Sequence, residues 1–218
     1  MAALLLDVSV WSADLANLEA ELRRLEPAAD SFHFDACDGH FVPSLLFFPD
    51  LIAKLRPLTG KEFHLHLMAT RPMDLLPAFI EAGVNRVTLP LEAGKRVSAA
   101  LDFLAGRGIQ TGVSIDLDTP PVQVKDYAGR ISRVLHMGTP MGIKGCDLDP
   151  RACGRIRELR RLFPKLEVFA DGGIREQTVP LLREAGAHGI VPGSLICAAQ
   201  DVAARAEWLR SLQPAGAA

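Results

Sequence analysis

Short apolar runs alternate with longer amphipathic runs along almost the whole of this sequence. Runs rich in β-branched and apolar residues predict strands, whereas apolar residues spaced three and four apart predict helices. Strands are predicted at residues 3–10, 31–35, 62–67, 86–89, 110–115, 132–137, 167–170 and 189–191. Strict alternation of strands and helices is typical of a parallel sheet covered by helices.

Helices are predicted between these strands at residues 13–26, 72–82, 96–104, 150–163, 176–185 and 202–212. Two further short helices are predicted to begin at residue 49 and after residue 121. Ser12 is the expected N-cap of the first helix, Pro72 opens the third, and Gly83 ends it. Eight repeats predict a single-domain (β/α)8 TIM barrel of the α/β class over residues 1–212, with 213–218 as a disordered tail. A doubly wound sheet is disfavoured because the first loop is not glycine-rich.

Composition and charge narrow the classes of partner. The chain has 49% hydrophobic and 23% charged residues and a net charge of −2, so neither nucleic acid nor an anionic membrane is expected. No apolar stretch reaches the roughly 20 residues of a membrane span. The N-terminal run ends at Asp7 and lacks the basic start of a signal peptide. Four cysteines without a C-x-x-C pair favour a reducing, cytoplasmic location.

Histidine and acidic side chains collect at predicted strand ends. His33 and Asp35 point to the same face of the second strand, about 7 Å apart. His66 lies near the end of the third strand, and Asp171 follows the seventh. The carboxyl ends of all strands meet on one rim of a barrel, which also receives Ser9 and His136. Two imidazoles and two carboxylates there suit one divalent ion of zinc, iron or manganese.

The loops after the seventh and eighth predicted strands are rich in glycine. They contain Gly172-Gly173 and Gly193-Ser194, and each leads towards a helix. Glycine lets backbone N–H groups approach an anion, and a helix N-terminus adds a favourable dipole. Because this pair of loops commonly binds phosphate in barrels, we expect a phosphate group here.

These residues and their flanking segments resemble the ribulose-phosphate 3-epimerase family. The matching segments are Ser9-Val10-Trp11-Ser12-Ala13-Asp14, His33-Phe34-Asp35, Asp38-Gly39-His40-Phe41-Val42-Pro43, His66-Leu67-Met68, Asp171-Gly172-Gly173 and Gly193-Ser194, and the resemblance covers residues 6–196. The resemblance implies an epimerase that inverts C3 of a ketose phosphate, such as D-ribulose 5-phosphate to D-xylulose 5-phosphate. Two carboxylates would transfer the protons through an enediolate.

The resemblance also implies a role for each matching residue. The implied metal ligands are His33, Asp35, His66 and Asp171; the implied acid/base pair is Asp35 and Asp171; and the implied substrate contacts are Ser9, Gly172, Gly173, Gly193 and Ser194. Barrels of this kind often associate, so a homo-oligomer is expected.

Several positions depart from the family's usual pattern. Cys37 stands where the family usually has Met, and His64 stands where it usually has Asp. His136 replaces another Met, and Lys144 adds a cation to the loop after the sixth strand. We expect Met68, His136, Gly142 and Lys144 to be further substrate contacts, and a ketose phosphate other than ribulose 5-phosphate stays open.

Two other classes of protein compete with this interpretation. Sugar-phosphate decarboxylases of related fold carry Asp-x-Lys-x-x-Asp, but the lysine position here is Cys37. A Schiff-base aldolase is disfavoured because no lysine lies at an evident strand end. The other class is a non-catalytic sugar-phosphate binder, which would not need to keep both carboxylates.

Overall fold

The computed structural model describes residues 3–212 of the chain. Its strands are β1 (Leu5–Ser9), β2 (Ser31–Asp38), β3 (Leu45–Leu46), β4 (Glu62–Met68), β5 (Arg86–Pro90), β6 (Gln110–Ile115), β7 (Arg133–Met137), β8 (Glu167–Asp171) and β9 (Gly189–Val191). All except β3 are parallel, and the pairing of β1 with both β2 and β9 closes the barrel. The predicted (β/α)8 barrel is confirmed. The predicted tail, residues 213–218, lies outside the described residues.

The helices follow the strands in the order that the alternation predicts. They are α1 (Leu18–Leu25), α2 (Pro49–Leu55), α3 (Pro72–Glu81), α4 (Arg96–Ala105), α5 (Ala152–Leu162), α6 (Val179–Glu184), α7 (Ser194–Cys197) and α8 (Val202–Ser211), with 3-10 helices at Val10–Ser12, Arg56–Leu58, Leu91–Ala93 and Pro121–Asp126. None of the helices within residues 3–212 has the length and apolarity to span a bilayer.

The first helix begins later than expected. The prediction of a helix from residue 13 with Ser12 as N-cap is wrong, because Ser12 ends a 3-10 helix and α1 starts at Leu18. The Asp14 carboxylate accepts hydrogen bonds from the Ala16 amide (3.0 Å) and from the Asn17 side chain (2.7 Å). Such local bonds hold the chain in a turn that competes with the helix.

Alternation along each strand sorts side chains into two layers. On β2, Phe32 and Phe34 belong to the large apolar core between the sheet and the helices. His33 and Asp35 alternate with them and therefore point into the barrel. The inside of the barrel near β1, β2 and β4 is consequently polar although it is buried, so its ionisable groups need partners.

The antiparallel strand β3 has no signal in the sequence. Its two residues pair with Cys37 and Asp38 at the end of β2. The Asp38 carboxylate organises the loop between these strands by accepting backbone N–H groups of His40 (2.9 Å) and Phe41 (2.7 Å). The loop then contacts the segment after β7, where Ser44 Oγ donates to the carbonyl of Gly142 at 2.7 Å.

Candidate active site

Four ionisable side chains converge at the carboxyl ends of β2, β4 and β8. One ligand atom from each lies within 4.8 Å of the other three, and the four residues are His33, Asp35, His66 and Asp171. His33 Nε2 lies 3.2 Å from Asp35 Oδ1 and 3.9 Å from Asp171 Oδ2. His66 Nδ1 lies 3.3 Å and 3.9 Å from the same two oxygens. The structure therefore brings together the residues that the strand-end pattern singles out.

Both imidazoles present one nitrogen to the cluster because the other nitrogen has a partner. His33 Nδ1 lies 3.1 Å from Asp7 Oδ2, and His66 Nε2 lies 2.9 Å from Ser114 Oγ. Ligand atoms at about 2.1 Å from a tetrahedral metal ion are separated by roughly 3.4 Å. The observed separations and the mixed nitrogen and oxygen donors fit one divalent ion.

The two carboxyl groups have opposite electrostatic environments. Burial raises the pKa of Asp171 to about 7, and the negative charge of Asp35 adds to that shift. Burial alone would also raise the pKa of Asp35, but the charge and hydrogen bond of His33 outweigh it and hold the pKa below its usual range. In this arrangement one carboxyl group retains a proton near neutral pH while the other is ionised.

A cavity of about 430 Å³ lies at the mouth of the barrel beside this cluster. Ten predicted site residues line it: Ser9, Asp35, Met68, Gly142, Lys144, Asp171, Gly172, Gly173, Gly193 and Ser194. Ser9 Oγ donates to Asp35 Oδ2 at 3.3 Å, so the two oxygens of that carboxylate have different neighbours. His33 and His66 lie beneath the cavity floor as fully buried residues.

The loop after β8 can approach a ligand closely because it consists of glycines in the left-handed region. Gly172 has φ +88°, and a Cβ there would lie 2.1 Å from Thr139 Oγ1. Gly173 has φ +69°, and a Cβ there would lie 2.6 Å from the Leu148 backbone. Both the conformation and the space exclude a side chain, which leaves backbone N–H groups at this end of the cavity.

A lysine joins two of the loops that line the cavity. Lys144 Nζ donates to the Trp11 carbonyl at 2.8 Å and lies 5.5 Å from the centre of the indole ring. Its loop follows β7, whereas Trp11 follows β1, so the bond joins two rim loops. Ser12 lies beside Gly193, where a Cβ would come within 2.6 Å of the serine Oγ.

The expected substrate contact from His136 is corrected by the structure. On β7, Leu135 and Met137 pack inside the barrel, whereas Val134 belongs to the outer apolar core. His136 shares the parity of Val134, is fully buried, and does not line the cavity. Burial lowers the pKa of His136 to about 4, with a further contribution from the charge of Arg155.

Other cavity residues escaped the sequence analysis. They are Trp11, Ser12, Thr139 and Arg175, among others. Each flanks a segment that the motifs already marked, so proximity to those segments was the available signal. Asp7 was also missed, although it shares the strand parity of Ser9 and therefore points into the barrel.

The fold and this cluster define the protein as a (β/α)8 barrel with a metal-type ligand set at the carboxyl ends of its strands. The chain belongs to the Ribulose-phosphate 3 epimerase family, whose model matches residues 5–197. Membership of that family places the chain among the isomerases.

Curated relatives are similar to this chain over most of their length. A ribulose-phosphate 3-epimerase of Bacillus subtilis (strain 168) is 31% identical over 199 residues, covering 88% of this chain and 92% of the relative. The "Ribulose-phosphate 3-epimerase, cytoplasmic isoform" of Oryza sativa subsp. japonica is 33% identical over 198 residues, covering 88% and 87%.

Solved structures of lower identity share the fold. A 3-hexulose-6-phosphate synthase superposes with a TM-score of 0.69 at 16% identity, covering 97% of this chain and 99% of the other. A structure described as KGPDC from Streptococcus mutans gives 0.69 at 14% identity, covering 95% of each. These similarities concern the barrel alone.

Proposed function

We propose that this protein inverts the configuration at C3 of a ketose phosphate, with D-ribulose 5-phosphate and D-xylulose 5-phosphate as the first pair to test. The observation that carries the proposal is the pair Asp35 and Asp171, two carboxyl groups that line one cavity and reach the same two imidazoles from strands β2 and β8. Two carboxyl groups beside one substrate cavity can act as the base and the acid of one reaction. Family membership supports the same activity.

Inversion requires one proton to leave C3 on one face and another to arrive on the opposite face. Asp35 would accept the C3 proton, and Asp171 would donate a proton from the other side. In the reverse direction the two residues exchange roles. A single carboxylate would return the proton to the face from which it came.

A divalent metal ion would be held by His33 Nε2, His66 Nδ1 and the carboxylates of Asp35 and Asp171. When bound, it supplies Lewis-acid stabilisation of the negative charge that develops on the ketose oxygens. Asp35 can act both as a metal ligand and as a proton acceptor because its two carboxylate oxygens have different neighbours. Oδ1 faces His33 and His66, whereas Oδ2 accepts the hydrogen bond of Ser9.

The phosphate group of the substrate would bind at the end of the cavity formed by Gly172, Gly173, Gly193 and Ser194. Backbone N–H groups at such glycines can donate to phosphate oxygens without steric obstruction. Lys144 would add a positive charge there, since its ammonium group already reaches across to the carbonyl of Trp11. Met68 and Gly142 line the same cavity and would contact the sugar.

Location and assembly stay proposals. We place the protein in the cytoplasm, supported by its free cysteines and by the relative from rice that is named a cytoplasmic isoform. We also propose a homo-oligomer with a small-molecule sugar phosphate as ligand, because barrels of this kind often associate. Sedimentation of the purified protein tests the assembly.

The activity is tested by proton NMR of metal-loaded protein with D-ribulose 5-phosphate and then with a panel of other ketose phosphates. Appearance of the C3 epimer, absent with Asp171→Asn, is the expected result. Epimerisation of another ketose phosphate but not of D-ribulose 5-phosphate would support the proposed reaction with a different substrate. Tight binding of the whole panel without any epimer would overturn the proposal in favour of a non-catalytic binder.

A further inference from the structure

A second group of ionisable side chains lies deeper in the barrel than the four candidate metal ligands. We call Asp7 (β1), His64 (β4) and Arg133 (β7) the inner cluster; all three are buried. Asp7 Oδ1 accepts a hydrogen bond from Ser31 Oγ at 2.6 Å. Asp7 Oδ2 meets Nδ1 of His64 and, at 3.1 Å, Nδ1 of His33. The only carboxylate of the inner cluster therefore contacts a candidate metal ligand directly.

The other members of the inner cluster hold the Asp7 carboxylate in place. Arg133 Nη1 lies 3.7 Å from Asp7 Oδ2 and has no hydrogen-bond partner among the described residues. Its Nε and Nη2 donate to Glu167 Oε2 at 3.1 and 2.9 Å. The guanidinium lies 3.6 Å from the centre of the Phe169 ring. A buried carboxylate needs such compensation, and here it comes from a cation that is itself fixed.

We propose that Asp7 is a positioning residue for His33, an inference that rests on the metal-binding part of the proposed function. Its carboxylate accepts the Nδ1–H of His33, fixes the imidazole in the tautomer with the proton on Nδ1, and leaves the lone pair of Nε2 directed at Asp35 and Asp171. A carboxylate behind a ligating histidine also increases the basicity of the ring.

The contact between Asp7 and His33 bears on the departure from the family pattern at residue 64. Where the family usually has an aspartate, this chain has His64, which lies beside His33 in the β2–β4 register. The carboxylate that contacts His33 in this chain comes from β1, on the other side of β2. His64 Nδ1 donates to the Asp7 carboxylate, and His64 Nε2 accepts from Thr88 Oγ1 at 2.7 Å.

A second metal ion is the competing interpretation, because Asp7, His33 and His64 also offer atoms within 4.8 Å of one another. Two observations oppose it. Arg133 already places a positive charge 3.7 Å from Asp7, and Nδ1 of His33 would have to bind one ion while Nε2 binds another. The geometry therefore favours support of one ion over coordination of two.

The test is the affinity and stoichiometry of Zn²⁺ and Co²⁺ in competition with a chromophoric chelator, measured without substrate. Asp7→Asn keeps the shape of the side chain and removes its charge. We expect one ion per wild-type chain and an affinity about 10- to 100-fold lower in the variant. The absorption spectrum of bound Co²⁺ should also change, which a merely structural effect on folding would not produce.

Asp30→Asn is the matched control. Asp30 accepts the Leu6 amide of β1 at 2.8 Å and pairs with Arg210, but it contacts no imidazole. Its substitution should leave metal affinity unchanged. If Asp7→Asn fails to fold, Ser31→Ala decides the question, because it removes the 2.6 Å bond to Asp7 Oδ1 and should weaken metal binding about threefold or more.

Unchanged affinity in the folded Asp7→Asn protein would overturn the inference, and so would two ions per wild-type chain. A failure of the proposed function can be distinguished from a failure of this inference. A protein that binds one ion through an Asp7-dependent site but epimerises no ketose phosphate would lose the function and keep the inference. A wild-type chain that binds no ion would overturn both the inference and the metal part of the function.

Discussion

The carboxylates of Asp35 and Asp171 approach the same two imidazoles from strands that are separated by β1 and β9 around the barrel. Asp35 lies 3.2 Å from His33 Nε2, whereas Asp171 lies 3.9 Å from it. The imidazole of His33 lowers the pKa of the nearer carboxyl group, whereas burial and the charge of Asp35 raise the pKa of Asp171. This asymmetry displaces the pKa values of two chemically identical groups in opposite directions.

Metal removal should lower both activity and thermal stability. A ligand at 100 times its Kd stabilises the folded state by about 2.7 kcal/mol, so chelation should reduce the melting temperature by several degrees. Calorimetry with and without chelator measures this. His66→Asn is the control, because a variant without that ligand should respond much less. An unchanged wild-type melting temperature would contradict a metal site at this cluster.

Lys144→Met should lower kcat/KM for a ketose phosphate about 10-fold or more. A hydrogen bond to a charged group contributes about 1.5–3 kcal/mol, and the variant removes the cation from the proposed phosphate end. The same ketose without phosphate should be affected much less. Lys125→Met, at an exposed lysine in the 3-10 helix Pro121–Asp126, is the control. Equal losses with and without phosphate would refute the assignment of Lys144 to this group.

Gly172→Ala should destabilise the protein more than Gly145→Ala. Both glycines have φ +88°, but a Cβ on Gly172 would lie 2.1 Å from Thr139 Oγ1, whereas a Cβ on Gly145 would meet nothing within 4 Å. Strained backbone costs about 1–3 kcal/mol in each, and the steric clash adds to it only at Gly172. Denaturant unfolding measures the difference. Equal destabilisation would show that Thr139 moves aside freely.

The buried His136 should make stability fall as the pH is lowered from about 6.5 to about 4. In that window the unfolded chain binds a proton at His136 and the folded chain does not, so acid favours unfolding. One such group changes the free energy of unfolding by up to about 1.4 kcal/mol per pH unit. Both proteins are compared after treatment with chelator. As the pH falls, the free energy of unfolding of the wild type should approach that of His136→Leu or drop below it. Parallel stability curves would contradict the placement of His136.

The sequence predicts the barrel well because each strand is a short apolar run. Gln110–Ile115 and Gly189–Val191 have the predicted bounds, and Pro72 opens α3 as expected. Local hydrogen bonds are harder to foresee. The turn around Asp14 delays α1, and the two-residue strand β3 depends on pairing with Cys37 and Asp38 rather than on its own composition.

The candidate site is predictable where strand topology alone decides it. His33, Asp35, His66 and Asp171 meet because carboxyl ends of parallel strands share one rim. His136 was misplaced by one position, since only alternate residues of β7 point inward and Met137 has the inward parity. Asp7 could not be recognised as a partner of His33 without the register that places β1 beside β2.

The most direct test of two-carboxylate proton transfer is the deuterium content of the epimer formed in heavy water. Metal-loaded protein is allowed to convert a small fraction of its ketose phosphate, and C3 of the product is examined by NMR and mass spectrometry. Because Asp171 would donate a proton that it has exchanged with solvent, the product should carry one deuterium at C3, and Asp171→Asn should form none of it. Product that retains the original hydrogen at C3 would contradict the account.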